Sequence, residues 1–132
     1  EAGLEVPEEY VLEVAYLDDE AAGEATRKLL ALKRRPTCIL YPDDYSCIGG
    51  MNAIRDAGLS IPEDISVAGY DGVTIGRLRS PKLTTYSQNM RGIGEAAASK
   101  IIELIEKPRT TLKDNTVLDG YLVKGETLGT VN

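Results

Sequence analysis

Apolar residues recur along this chain with two different periods, and the switches between them mark out the elements. Residues 10–16 (YVLEVAY) form a β-rich run and predict a first strand. Asp18 and Asp19 then offer N-caps, Glu20 a first-turn acid, and Ala22, Ala25, Leu29 and Leu32 follow at helical spacing. Lys33, Arg34 and Arg35 suit the negative end of that helix, and Pro36 stops it. Residues 38–41 (CILY) are a short continuous apolar run, the pattern of a strand covered on both faces. Next comes a helix with Ile48, Met51 and Ile54 on one side and Gly58 at its C-terminal stop. Residues 65–70 (ISVAGY) predict another strand, ended by Asp71 and Gly72, and 73–78 a weaker helical stretch. Residues 83–87 read as extended. Met90, Ile93, Ala97, Ile101 and Leu104 mark a long helix that ends at Pro108. A polar loop over 110–115 and a last strand over 116–124 complete the chain.

Apolar strands alternating with helices predict an α/β fold: a three-layer parallel sheet with helices on both faces. Ligands of such sheets lie beyond the carboxyl ends of the strands. The polar residues just after each strand are Asp43 and Asp44, Asp71, and the segment around Gln88. Glu1 and Ala2 look like the tail of a helix stopped at Gly3, so the chain is expected to be a piece of a longer protein.

Composition narrows the chemistry. The 132 residues include no His, which removes His-based triads, imidazole bases and His metal ligands. Fifteen Lys and Arg against 21 Asp and Glu give a formal charge of −6, which disfavours a grip on phosphate backbones by this segment. Two cysteines, Cys38 and Cys47, are too few for a disulfide scaffold or a Cys zinc site, and read as core thiols. No apolar run approaches the length of a membrane span and no signal peptide is evident, so the expected location is the cytoplasm.

Several local patterns carry candidate chemistry. An acidic pair after an apolar strand can hold Mg²⁺, as in phospho-accepting receiver domains, with Asp71 as the acceptor; the alternative is that Asp44 caps a helix and Asp43 is solvated. Gly92, Gly94 and Ala97 fit a loose dinucleotide-binding spacing, but Met90 and Ile93 already keep helical register, so Gly94 is expected to serve close packing. Ser46, Ser66 and Ser80 have no base to activate them. Arg77 and Arg79 read as solvated surface. No catalytic residue, metal ligand or cofactor site is expected.

Residues 35–72 (RPTCILYPDDYSCIGGMNAIRDAGLSIPEDISVAGYDG) and 80–94 (SPKLTTYSQNMRGIG) together resemble the sensor region of LacI/GalR-type transcriptional regulators. The usual run there is P-T-A-I-x-x-x-N-D-x-x-A-x-G, then G-x-x-x-P-x-D-x-S-x-x-G-x-D, then P-x-L-T-T-x-x-Q and L-G. Residues 122–127 (LVKGET) look like the family's closing strand, with Lys124 and Glu126 substituted.

The resemblance implies the C-terminal lobe of a periplasmic-binding-protein-like (type I) fold, spanning residues 1–132. Its helix over 89–108 would belong to an N-terminal lobe, and the chain would cross between lobes near residues 86–89. It implies a non-enzyme that senses a small carbohydrate in the cleft between the lobes, and no cofactor. Operator DNA would be bound only through an N-terminal helix-turn-helix upstream. The implied ligand residues are Asp43, in place of the family's Asn, Asp71 of G-x-D and Gln88 after L-T-T, with Tyr16 the nearest candidate for an aromatic platform. Two acceptor-only carboxylates suit neutral hydroxyls and would repel an acidic sugar. A homodimer is implied through the helix after Asp43-Asp44 and the segment after G-x-D, with Ile48, Met51, Val73, Ile75 and Leu78 at the contact. A lobe of an extracytoplasmic sugar-binding protein that feeds a transporter is the alternative.

Overall fold

A computed structural model describes residue 3, residues 5–109 and residues 115–130. The expected helix tail at Glu1 and Ala2 and most of the expected polar loop, residues 110–114, lie outside the described residues. After a 3-10 turn at Glu8–Tyr10 come α1 (Asp19–Leu30), β1 (Cys38–Leu40), α2 (Asp44–Asp56), β2 (Ser66–Asp71), a one-turn helix α3 (Thr74–Arg77), β3 (Thr85–Ser87), α4 (Met90–Glu106) and β4 (Tyr121–Val123).

The α/β expectation holds, with a mixed rather than wholly parallel sheet. Strand order is β1-β2-β3-β4; the first three run parallel, and β4 returns antiparallel to β3, pairing Thr85 with Val123 and Ser87 with Tyr121. The expected strand over 116–124 shortens to Tyr121–Val123.

Helices α1 and α2 lie on one face of this sheet. Paired residues share a face, so Ile39 and Val67 point to one side, and Leu40, Ala68, Tyr70, Tyr86 and Leu122 to the other. On the first side Leu29 of α1 and Cys47, Met51 and Ile54 of α2 pack with Ile39, Tyr41, Ile65, Val67 and Leu83 into one core. On the second, Leu40 is 76% exposed, Cys38 is exposed, and Tyr70 and Tyr86 stack with centroids 5.6 Å apart. Cys38 is therefore not a core thiol, whereas Cys47 is fully buried.

Residues 11–16 are not a strand. They run across a groove of about 540 Å³ from the outer side of β1, with Leu12, Glu13 and Val14 on one wall and Leu40, Tyr41 and Pro42 on the other. A β-rich run becomes a strand only beside a neighbour that accepts its ladder, and β1 pairs with β2 alone among the described strands.

Glycine sets the spacing of α1 and α2. A Cβ at Gly49 would fall on the Asp19 carbonyl, and one at Gly50 on the Tyr41 hydroxyl, which itself bonds Thr26 Oγ1 at 2.8 Å. Gly94 has no such role, since a Cβ there meets nothing within 4 Å. The close-packing expectation for Gly94 therefore finds no partner among the described residues. Gly92 sits instead against the side chain of Asn89, which caps α4 by accepting its N–H. Helix α4 itself carries no buried residue.

Candidate ligand-binding site

The loops at the carboxyl ends of β1, β2 and β3, together with the turn before α1, bring Tyr16, Asp43, Asp71 and Gln88 into one neighbourhood. Asp71 is the last residue of β2, and it and Gly72 both hold positive φ, at 102° and 74°. This left-handed kink costs on the order of 1–3 kcal/mol at a non-glycine residue and needs support from its surroundings. The support comes from two directions. Gly72 N–H donates to Thr85 Oγ1 at 3.2 Å, and Val73 N–H donates to Asp44 Oδ2 at 2.7 Å. A Cβ on Gly72 would lie 2.6 Å from Ser87 Cβ, so the turn passes too close to β3 for any side chain.

The kink presents the Asp71 carboxylate between two side chains from distant parts of the chain. The Tyr16 hydroxyl donates to Oδ2 and the Gln88 amide donates to Oδ1. Donating to the Asp71 carboxylate raises the pKa of the Tyr16 phenol to about 12, with desolvation and the charges of Asp71, Asp43 and Asp44 adding to the effect. The Tyr16 ring is 58% exposed, so it offers a face as well as a hydroxyl.

Neither Asp43 nor Asp44 takes the role expected of it. Asp43, not Asp44, caps α2: it is extended at φ −156°, and its Oδ1 accepts from Ser46 N–H at 2.8 Å. Its Oδ2 accepts from Ser46 Oγ at 2.7 Å and from Leu17 N–H at 3.0 Å. Nor is it solvated, since none of its surface is exposed. Burial alone would push its pKa up, but the Ser46 hydroxyl and N–H and the Leu17 N–H outweigh burial and hold it below 3.8. The bond to Leu17, a residue at φ 61°, also fixes the turn that delivers Tyr16 to Asp71. The capping phase of a helix moves by one residue without changing its apolar spacing, which is why the two adjacent acids were interchangeable in the sequence.

Asp44 lies one residue into α2, equally buried, with Oδ1 lacking a hydrogen-bond partner among the described residues. A Cβ at Gly69 would collide with that oxygen. Burial pushes the Asp44 carboxyl up, and the negative charge of Asp71 adds to it. The two acids thus turn to different elements, Asp43 toward residue 17 and Asp44 toward residue 73, rather than forming a shared metal chelate. The contribution of Asp44 and of the Leu17 backbone was invisible to motif reading, because both act on residues 26 or more positions away.

The expected dimer residues divide. Leu78 is 79% and Ile75 40% exposed, whereas Ile48 and Met51 are buried, each at 7% exposure.

The chain as a whole has counterparts among known proteins. The periplasmic binding protein-like domain family matches residues 1–128. The chain belongs to that family. The HTH-type transcriptional repressor PurR of Pasteurella multocida is 36% identical over 107 residues, covering 81% of this chain and 32% of the repressor. The transcriptional regulator LacI of Bacillus cereus subsp. cytotoxis superposes with a TM-score of 0.88 over 99% of this chain and 46% of its own, at 26% identity. A LacI family regulator of Arthrobacter sp. FB24, solved in complex with lactose, is 32% identical with a TM-score of 0.76, over 84% of this chain and 41% of its own. The chain thus spans about a third of the curated relative's length and under half of these structures. Within the family it is the LacI/GalR type of sensor domain, a binding module and not an enzyme. Among the described residues of this periplasmic-binding-protein-like domain, no helix is long and apolar enough to cross a membrane.

Proposed function

We propose that this domain senses a small neutral carbohydrate on behalf of a LacI-type repressor. The carrying observation is the Asp71 carboxylate, held at a supported kink and flanked by Tyr16 and Gln88. A sugar hydroxyl both donates and accepts. Asp71 supplies a charged acceptor, Gln88 supplies a donor and an acceptor, and the exposed Tyr16 ring supplies a flat apolar surface for the C–H face of a pyranose. Asp43 takes part through Leu17, by holding the Tyr16 turn, as much as by any direct contact. Each hydrogen bond to the carboxylate would contribute about 1.5–3 kcal/mol. The lactose held by the Arthrobacter relative supports the same ligand class.

In this reading the ligand closes a second lobe over the site, with the chain crossing near residues 86–89 and α4 lying in that other lobe. The absence of any buried residue on α4 supports this. Closure would shift the protein between DNA-binding and released populations through differential affinity. DNA contact would fall to a helix-turn-helix outside this chain, in the cytoplasm, and two copies would pair through the face bearing Ile75 and Leu78.

The test is a calorimetric screen of mono- and disaccharides, with nucleobases as the competing class, on the full-length protein. A sugar should bind, and Asp71→Ala should weaken it by about tenfold or more. Binding of a nucleobase alone, or an Asp71→Ala variant that binds the sugar as well as the parent, overturns the reading.

A further inference from the structure

A second cleft, of about 610 Å³, opens between α2 and residues 78–81, away from the kinked Asp71. Its walls include Met51, Asn52, Arg55, Glu63, Leu78 and Arg79. Two guanidinium groups meet there on one neutral atom: Arg55 Nη2 donates to Asn52 Oδ1 at 3.1 Å, and Arg79 Nη2 donates to the same oxygen at 3.4 Å. Among the described residues neither arginine forms an ion pair, whereas Lys82 pairs with Glu126 and Arg91 with Glu95. Glu63 stands on the same wall but pairs with neither.

Two like charges drawn to one amide oxygen repel each other, and a neutral acceptor offsets little of that repulsion. The donors left over on two planar forks match an oxyanion that presents two or more oxygens. The cleft is also an exception to the balance of a chain whose formal charge is −6. We infer that this cleft is an oxyanion site, taking a carboxylate or phosphate group between Arg55 and Arg79. Leu78 places it beside the proposed two-fold contact, so the group comes either from a free anion or from an acidic side chain of a second copy. Because the cleft shares no residue with the sugar site, its test is independent of the effector reading.

The experiment follows the Nε–Hε resonances of the arginines by NMR, on the full chain. Inorganic phosphate, and separately malonate, are titrated at constant ionic strength, with the exposed Arg27 as the reference. Arg55 and Arg79 should shift together and saturably while Arg27 does not. Arg79→Gln or Arg55→Gln should weaken the response by about tenfold, the loss of one charge-assisted hydrogen bond. In a second arm the chain concentration is varied without added anion, alongside sedimentation equilibrium. If the group belongs to a second copy, the same two resonances move as the dimer forms, and phosphate competes with dimerisation. A saturable shift in either arm supports the site and assigns its source. Linear shifts shared with Arg27 in both arms overturn it.

Discussion

Asp44 Oδ2 accepts the backbone N–H of Val73 at 2.7 Å, tying the first turn of α2 to the turn that aims Asp71. The bond spans 29 positions of sequence and joins the core helix to the ligand loop. Asp44→Ala strips the Val73 N–H of its acceptor and should lower stability by about 1–3 kcal/mol in urea denaturation. It should also weaken effector binding, since the kink at Asp71 and Gly72 loses a support. Asp44→Asn keeps an acceptor and should retain most of both.

The adjacent acids should have opposite signatures in pH. The native pKa of Asp43 lies below its ordinary 3.8, so its bonds stabilise the fold above that value and the benefit is lost as pH falls through the native pKa. The native pKa of Asp44 lies above 3.8, so the folded state holds the Asp44 proton more tightly than the unfolded chain does. Its contribution is intact below 3.8 and declines as pH rises through its native pKa. Urea midpoints between roughly pH 3 and 7 check both signs. Against the parent, Asp43→Asn should look worse as pH rises, and Asp44→Asn better.

Tyr16 reports on Asp71 directly. The difference in tyrosinate absorbance between parent and Tyr16→Phe should show one phenol ionising near 12. In an Asp71→Asn background that ionisation should fall back toward 10, because the bond and the charge that raise it are both weakened. An unmoved ionisation would separate Tyr16 from the site.

Two glycines of similar sequence context should respond in opposite directions. Gly49→Ala drives a methyl into the Asp19 carbonyl and should cost about 1–3 kcal/mol as α1 and α2 are pushed apart. Gly94→Ala, on an open helix surface, should leave the fold intact and stabilise α4 by about 0.5–1 kcal/mol. Thermal melts of the pair read the difference.

Self-association should be probed at Leu78 rather than at Met51. Leu78→Asp places a charge on a side chain that is 79% exposed, so it tests the proposed contact without disturbing the core. A dimer in sedimentation that survives Leu78→Asp and Ile75→Asp would move the contact elsewhere.

The elements that could be read from sequence were those written locally. Asp18 caps α1, Gly58 follows α2 in the left-handed region, and residues 65–70 lie within one position of β2. The candidate site residues carry over from the family resemblance, and the fold gathers Tyr16 and Gln88 on Asp71. What escaped depends on non-local partners. A continuous apolar run such as 38–41 says nothing about whether a second layer covers it, and Leu40 stays bare. The run at 10–16 has strand chemistry but no described strand beside it. Direction is equally silent, so the reversal of β4 could not be seen in LVKGET.

Helix α4 has no fully buried residue, so its persistence rests largely on its own hydrogen bonds, the Asn89 cap and side-chain pairs such as Arg91 with Glu95. A 17-residue helix supported largely in this way is marginal in water. The molecule therefore has two cooperative units of unequal depth. Amide protons of α2, where nine residues are buried, should exchange with solvent only when the whole core opens. Those of α4 should exchange by fraying of the helix alone, far sooner, and should slow down in a full-length protein where α4 packs within the proposed second lobe.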